Sequence, residues 1–299
     1  MSSTTLSSTP IKVAPGMTTR QRNAIGTSWR LVVIFIAIAY SLFPVLWIIS
    51  ASFDPAGRLS SQNLIPNNPT VANYNTLFED SFWRWMGNST IVASITSVLS
   101  VFVSSISAYA FSRFRFSGRR SMLLTVFLVQ VFPNTLSMVA TYLLIRLIGD
   151  YIPFLGLNTL GGLILVYLGG AMGINTWLMK GFFDTVPRDL DESARIDGAN
   201  DWQIFWLVIV PLVRPILAVV AILSFVGTYS DYLLALVLVT EERYYTLAVG
   251  LSRFIGNQFD QRWGVFAAGA LIGAIPIVIV YLVLQDYIVG GLTQGAVKG

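Results

Sequence analysis

Long runs without a charged residue dominate the chain. Arg30 and Asp54 enclose 23 uncharged residues, Arg84 and Arg113 enclose 28, Arg120 and Arg146 enclose 25, and Asp150 and Lys180 enclose 29. Arg214 and Glu241 enclose 26 residues with a single charge, Asp231, and Arg262 and Asp286 enclose 23. A helix rising about 1.5 Å per residue needs about 20 apolar residues to cross a hydrocarbon core. The pattern predicts six spans, at about 31–53, 87–112, 121–145, 159–179, 211–239 and 263–285. They must be helices, because lipid offers no partner to an open backbone amide. Residues 1–28 are rich in Ser and Thr, lack apolar periodicity and read as a disordered tail. The first run lies too far along the chain, and is too long, for the core of a cleaved signal peptide.

Composition agrees with a membrane solvent. Hydrophobic residues make up 55% of the chain and charged residues 11%, where soluble domains carry about a quarter charged. Mean hydropathy is +0.68. There is no Cys and no His, which excludes disulfides, thiolate chemistry, zinc sites and histidine bases. Net charge is +4, which in a membrane chain reports its loops. With both termini inside, thirteen Lys and Arg fall on cytoplasmic segments and six on the other side. The excess fixes that orientation; its sharpest local sign is the turn Arg113-Phe114-Arg115-Phe116-Ser117-Gly118-Arg119-Arg120. The fold class is thus an all-α polytopic membrane protein with six spans and cytoplasmic termini. Three loops are then external: Asp54–Met86, with an aromatic belt at Phe82-Trp83-Arg84-Trp85; Arg146–Asn158; and Glu241–Arg262, with the polar stretch Gly256-Asn257-Gln258-Phe259.

The cytoplasmic segment 187–211 is too structured for a connector. Pro187 can open a helix whose first turn holds Asp189 and Asp191. Gly198 would stop it. Asn200 or Asp201 would cap a second helix with apolar Trp202, Phe205, Trp206 and Ile209, ending at Pro211. Two short helices meeting at a glycine, with small Ser193 and Ala194 beside Glu192 and Asp197, suit insertion into a partner's groove. The same segment could instead lie on lipid headgroups. The residues alone leave both readings open.

Glu192-Ser193-Ala194, three residues, Gly198, nine residues, then Val208-Ile209-Val210-Pro211 resembles the EAA loop of importer-type ABC permeases. The family pattern is Glu-Ala-Ala, three residues, Gly, nine residues, Ile-x-Leu-Pro; this chain departs conservatively at Ser193, Val208 and Val210. Gly149 to Thr159, Tyr245 to Gly250 and Gly291 to Gly299 further resemble MalG-type permeases, the maltose/maltodextrin family of binding-protein-dependent importers. The likeness runs from the first span to the C-terminus, although the first external loop is shorter.

The resemblance implies a type I importer permease fold and transport by alternating access. It implies four partners: a second, MalF-like permease, two copies of a sugar-importer ATPase, and an extracytoplasmic sugar-binding protein. ATP and Mg would belong to the ATPase, since none of Lys12, Lys180 and Lys298 sits in a phosphate-binding loop; no catalytic or metal site is expected here. Glu192, Ser193, Ala194, Asp197, Gly198 and Pro211 would couple to the ATPase. The tail 290–299, through Gly291, Thr293, Gln294, Gly295 and Lys298, would contact it, where a bare terminus would fray. Gly256, Asn257, Gln258 and Phe259 would reach the binding protein and help release sugar, the alternative being an ordinary turn.

Gln130, Asn134, Tyr229 and Asp231 are candidates for the translocation path, although Asp231 could equally cap a kink. The stripe Ser97, Ser100, Ser104 and Ser107 reads as glue between helices, and the pairs Gly169/Gly173 and Gly269/Gly273 as packing against the second permease. The family places the sugar site mostly in that partner. The substrate could also be trehalose or another α-glucoside. A secondary transporter explains six spans but not the EAA-like segment, and an intramembrane enzyme would need a second carboxylate near Asp231.

Overall fold

A computed structural model describes residues 19–55, 65–256 and 261–296, with backbone alone for 19–28, 134 and 288–296. Helix α1 (Thr19–Ser52) begins ten residues before its apolar run. The polar tail expected at 1–28 is therefore shorter, because residues 19–28 contain no proline and several good helix formers. The side of α1 from Trp29 to Leu46 is almost wholly exposed, and only Ser50, Ala51 and Ser52 at its end are buried. Short α2 (Ala72–Glu79) leads into α3 (Phe82–Arg113), the 32-residue helix around which the fold is built.

Helix α3 packs against α6 (Leu160–Phe183) and α10 (Arg214–Ser230), while α1 lies along α13 (Trp263–Gly273) and α10 along α14 (Ile275–Ala296). Four helices are long and apolar enough to span alone, and two bent pairs bring the number to six. The third span is α4 (Arg119–Val131) and α5 (Asn134–Tyr151), bent by 105° where Pro133 cannot donate to the helix. The fifth also differs from the expected 211–239. Its membrane helix is α10 alone, bent by 80° from the segment 201–212. It stops at Asp231, whose extended backbone ends the helix, and a separate α11 (Leu233–Leu238) follows.

Polar side chains hold the helices together across the apolar interior. Ser97 Oγ donates to the Ala221 carbonyl at 2.7 Å, and Asn175 Nδ2 donates to Ser100 Oγ and Ser224 Oγ at 2.8 and 2.9 Å. Ser104 reaches the Met172 carbonyl. Three members of the serine stripe thus act as glue, as expected. The glycine pairs do not await a partner. A side chain at Gly173 would meet Gln130, at Gly269 Leu251, and at Gly273 Leu247, all within this chain. Asn158, in the left-handed region at φ 54°, accepts from the Thr240 and Glu241 amides and so pins the α5–α6 connection to the end of α11.

Two external expectations need correction. Phe82 and Trp85 are fully buried, one turn apart on the inward face of α3, and only Trp83 is exposed as a belt residue would be. The stretch 241–262 is not an open loop, since it holds α12 (Leu247–Ser252) with Leu247, Leu251 and Phe254 in the core beside Trp85.

Candidate functional site

At the arginine-rich end of the bundle, α7 (Arg188–Ile196) follows extended Pro187. Asp197 and Gly198 close it, with the Gly198 amide donating to the Arg195 carbonyl at 3.0 Å and Ala199 to Ala194 at 2.9 Å. Gly198 sits at φ 86°, where a Cβ is disfavoured. Asn200, and not Asp201, is the cap of the next helix. Its side chain accepts from Gln203 N while Gln203 returns a bond to the Asn200 amide, a reciprocal capping box. This helix is α8 (Asp201–Gln203), a π segment (Ile204–Ile209) and α9 (Val210–Leu212), so Pro211 lies just before the bend into α10. Phe205 and Ile209 are buried, while Trp202 is 57% exposed.

The candidate coupling residues come together on this outward surface. Glu192, Ser193, Asp197 and Gly198 are exposed, and Ala194 is half-buried against the core. Neither carboxylate, Glu192 nor Asp197, forms an ion pair among the described residues. Ile196 is 87% exposed on an otherwise polar helix. Arg195 bridges to Asp201 at 2.7 Å across the glycine turn, in a pair half open to solvent.

The opposite face of α7 is locked to α3, a feature invisible to sequence reading. Arg113 Nε lies 2.6 Å from Asp191 Oδ2, with side chains only 4% and 7% exposed. Arg113 also donates to the Val186 carbonyl at 3.0 Å, Arg188 to the Ser112 carbonyl at 3.0 Å, and Ser112 Oγ to Asp184 Oδ1 at 2.7 Å. Lys180 pairs with the other oxygen of Asp184. Burial raises the Asp184 carboxyl's pKa, but the bonds from Lys180 and Ser112 outweigh it and hold the group low. For Asp191 burial wins over Arg113, Arg195 and Arg188, and the pKa is raised. The buried carboxylates of the described chain are Asp191 and Asp54, not Asp231.

Asp231 is half-buried. Its Oδ1 accepts from the Leu234 and Ala235 amides at 3.1 and 3.2 Å, capping α11, and from Tyr167 Oη at 2.8 Å. It also borders a cavity of about 810 Å³ between α4–α5 and α6–α10. Of the four path candidates only Asp231 lines it. Gln130 donates instead to the Gly170 carbonyl at 3.1 Å. Tyr229 donates to the Gly273 carbonyl at 2.9 Å and faces a separate, largely apolar cavity near Leu247 and Phe266. Asn134 begins α5, its side chain outside the described residues.

The base of the polar loop is closed by the Arg262 amide donating to the Phe254 carbonyl at 2.7 Å. Gly256 is described, whereas Asn257, Gln258 and Phe259 lie outside the described residues. Helix α14 continues through Gly291, Thr293, Gln294 and Gly295 to Ala296, past the point where a separate tail was expected; Lys298 lies outside the described residues.

Comparison with known proteins matches residues 100–294 to the family described as "Binding-protein-dependent transport system inner membrane component". The "Maltose/maltodextrin transport system permease protein MalG" of Vibrio vulnificus (strain YJ016) is 44% identical over 272 residues, covering 86% of this chain and 91% of that protein. Its counterpart in Escherichia coli (strain K12) is 40% identical over 276 residues, covering 88% and 92%. A chain of a crystal structure of "a bacterial ABC transporter involved in the import of the acidic polysaccharide alginate" superposes with a TM-score of 0.71 at 28% identity, covering 92% of this chain and 99% of that one. A chain of a second alginate transporter structure, at 16% identity and a TM-score of 0.62, shares the fold.

Proposed function

Because the chain belongs to the binding-protein-dependent transport system inner membrane component family, we propose that it works as one of two permease subunits of an ATP-driven importer for maltose and maltodextrins. It is a multi-pass inner-membrane protein with the helical fold of ABC importer permeases. The assembly we infer contains a second, MalF-like permease, two copies of an ATPase that bind ATP and Mg, and a sugar-binding protein outside.

The observation that carries the mechanism is the two-sided character of α7. One face is fastened to the end of α3 by a buried ion pair. The other presents unpaired Glu192 and Asp197 with exposed Ile196. An exposed isoleucine between two carboxylates fits a protein groove with basic walls, where water is excluded and the charges find arginines. Anionic headgroups would repel the same face. A push on α7 passes to α3 through Arg113 and to α10 through the bend after Leu212. ATP binding and the loaded binding protein both favour the outward-facing state, and hydrolysis returns the inward one. The Gly256–Phe259 loop serves sugar release and the residues after 290 meet the ATPase pair.

The relatives' names point to two sugar classes, neutral maltodextrins and acidic alginate. The cavity lining contains one carboxylate, Asp231, and neither Lys nor Arg. Such a lining favours the neutral class.

The test is the ATPase rate of the complex purified in lipid through a tag on this chain. The rate is expected to rise only when both binding protein and maltose are present. A co-purified ATPase indifferent to maltose would refute the substrate; failure to recover any ATPase, even on co-expression, would refute the coupling role.

A further inference from the structure

We propose that the cavity between α4–α5 and α6–α10 is itself a subsite for a neutral oligosaccharide, so that this chain binds sugar in transit as well as relaying force. The inference rests on the importer reading above.

A sugar ring has a flat C–H face and a rim of hydroxyls, so its sites combine an aromatic wall with convergent polar groups. The cavity provides both. Phe127 of α4 and Trp177 of α6 stand with ring centroids 5.6 Å apart, and Trp177 keeps 51% of its surface uncovered. Thr141, Thr228, Tyr167 and Asp231 bring hydroxyls and a carboxylate to the same space. A lipid-facing wall would not gather these groups, since an ionisable residue at membrane depth is costly without a function or a polar cavity. The volume of about 810 Å³ lies in the usual range for small-molecule sites. Tyr167 and Trp177 are ten residues apart on α6, which sets the aromatic wall about 15 Å along the helix from the Asp231 end.

Asp231 is held before any ligand arrives. Its three bonds all fall on Oδ1, and Oδ2 takes none of them. A fixed acceptor can receive sugar hydroxyls without reorganising. The carboxylate would repel a uronate, and the lining offers no cation to offset it. The same geometry therefore admits a neutral ring and disfavours an acidic one.

The test uses the complete complex with its binding protein in proteoliposomes, and reads maltotriose moved per ATP hydrolysed. Trp177→Ala is expected to lower this ratio about three- to tenfold, with Trp177→Phe close to wild type. Asp231→Asn keeps an acceptor for the α11 amides and is expected to lower it about tenfold. Equal recovery of the partner subunits checks that the variants fold. Wild-type ratios in both Trp177→Ala and Asp231→Asn overturn the subsite alone. A wild-type complex that moves no neutral sugar overturns the importer reading and the subsite with it.

Discussion

Replacing Arg113 or Asp191 singly by alanine is expected to destabilise the cytoplasmic end of the protein by about 3–5 kcal/mol, because each change leaves a buried charge without its partner. The pair sits 2.6 Å apart with both side chains nearly inaccessible. A carboxyl whose pKa is raised in the folded state prefers to be neutral there. Ionised near neutral pH it opposes folding, and that opposition is lifted as pH falls through the folded value. The pair is therefore not a net source of stability. Its work is to fix where α7 sits on α3. It follows that a double replacement by apolar residues, Arg113→Met with Asp191→Leu, should recover most of the stability that the single changes lose. Thermal melting of the purified complex measures the first effect, and ATPase stimulation by binding protein and maltose measures the coupling. Single variants that melt like the wild type would show that the ion pair does not hold the helix.

Gly250→Ala is expected to cost about 1–3 kcal/mol, and Gly250→Val more, through overpacking at the opposite end. A Cβ at Gly250 would lie 2.2 Å from Cδ2 and Cε3 of Trp85. Trp85 is fully buried among Leu77, Phe254 and Leu251, so the indole has nowhere to retreat. The helix α12 would lift from α3, carrying with it the base of the loop that leads to Gly256. A double-mutant cycle isolates the contact. In a Trp85→Leu background, adding Gly250→Ala should cost less than half of what it costs alone, as read by thermal unfolding. Equal costs in both backgrounds would place the strain elsewhere.

Much of the architecture could be read from the sequence because lipid imposes a simple rule. Charges must leave the hydrocarbon, so the gaps between them mark the spans, and the arginine turn at 113–120 marks a loop. The bends were not legible to the same rule. Pro133 was visible, but a proline can kink a helix or break it, and only packing of Gln130 against Gly170 and Gly173 shows how far α4 turns. The division of Phe82, Trp83 and Trp85 into buried and exposed rings depends on the facing of α3, which a short aromatic cluster does not reveal. Asp191 read as a residue suited to the positive end of a helix. Its pairing with Arg113 joins positions far apart in the chain, and nothing local announces it. The wall of Phe127 and Trp177 was hidden in the same way, each looking like one more apolar residue in a charge-free run.

The π segment at Ile204–Ile209 sets a rotational phase. Such a turn holds one residue more than an α-turn over nearly the same rise. Each residue of an α-helix advances the facing by about 100°. The single surplus residue thus decides which way everything before it points relative to α10, Ile196 and Glu192 included. The angle at which the ATPase is met is stored as a residue count, and no strengthening of individual bonds could substitute for it.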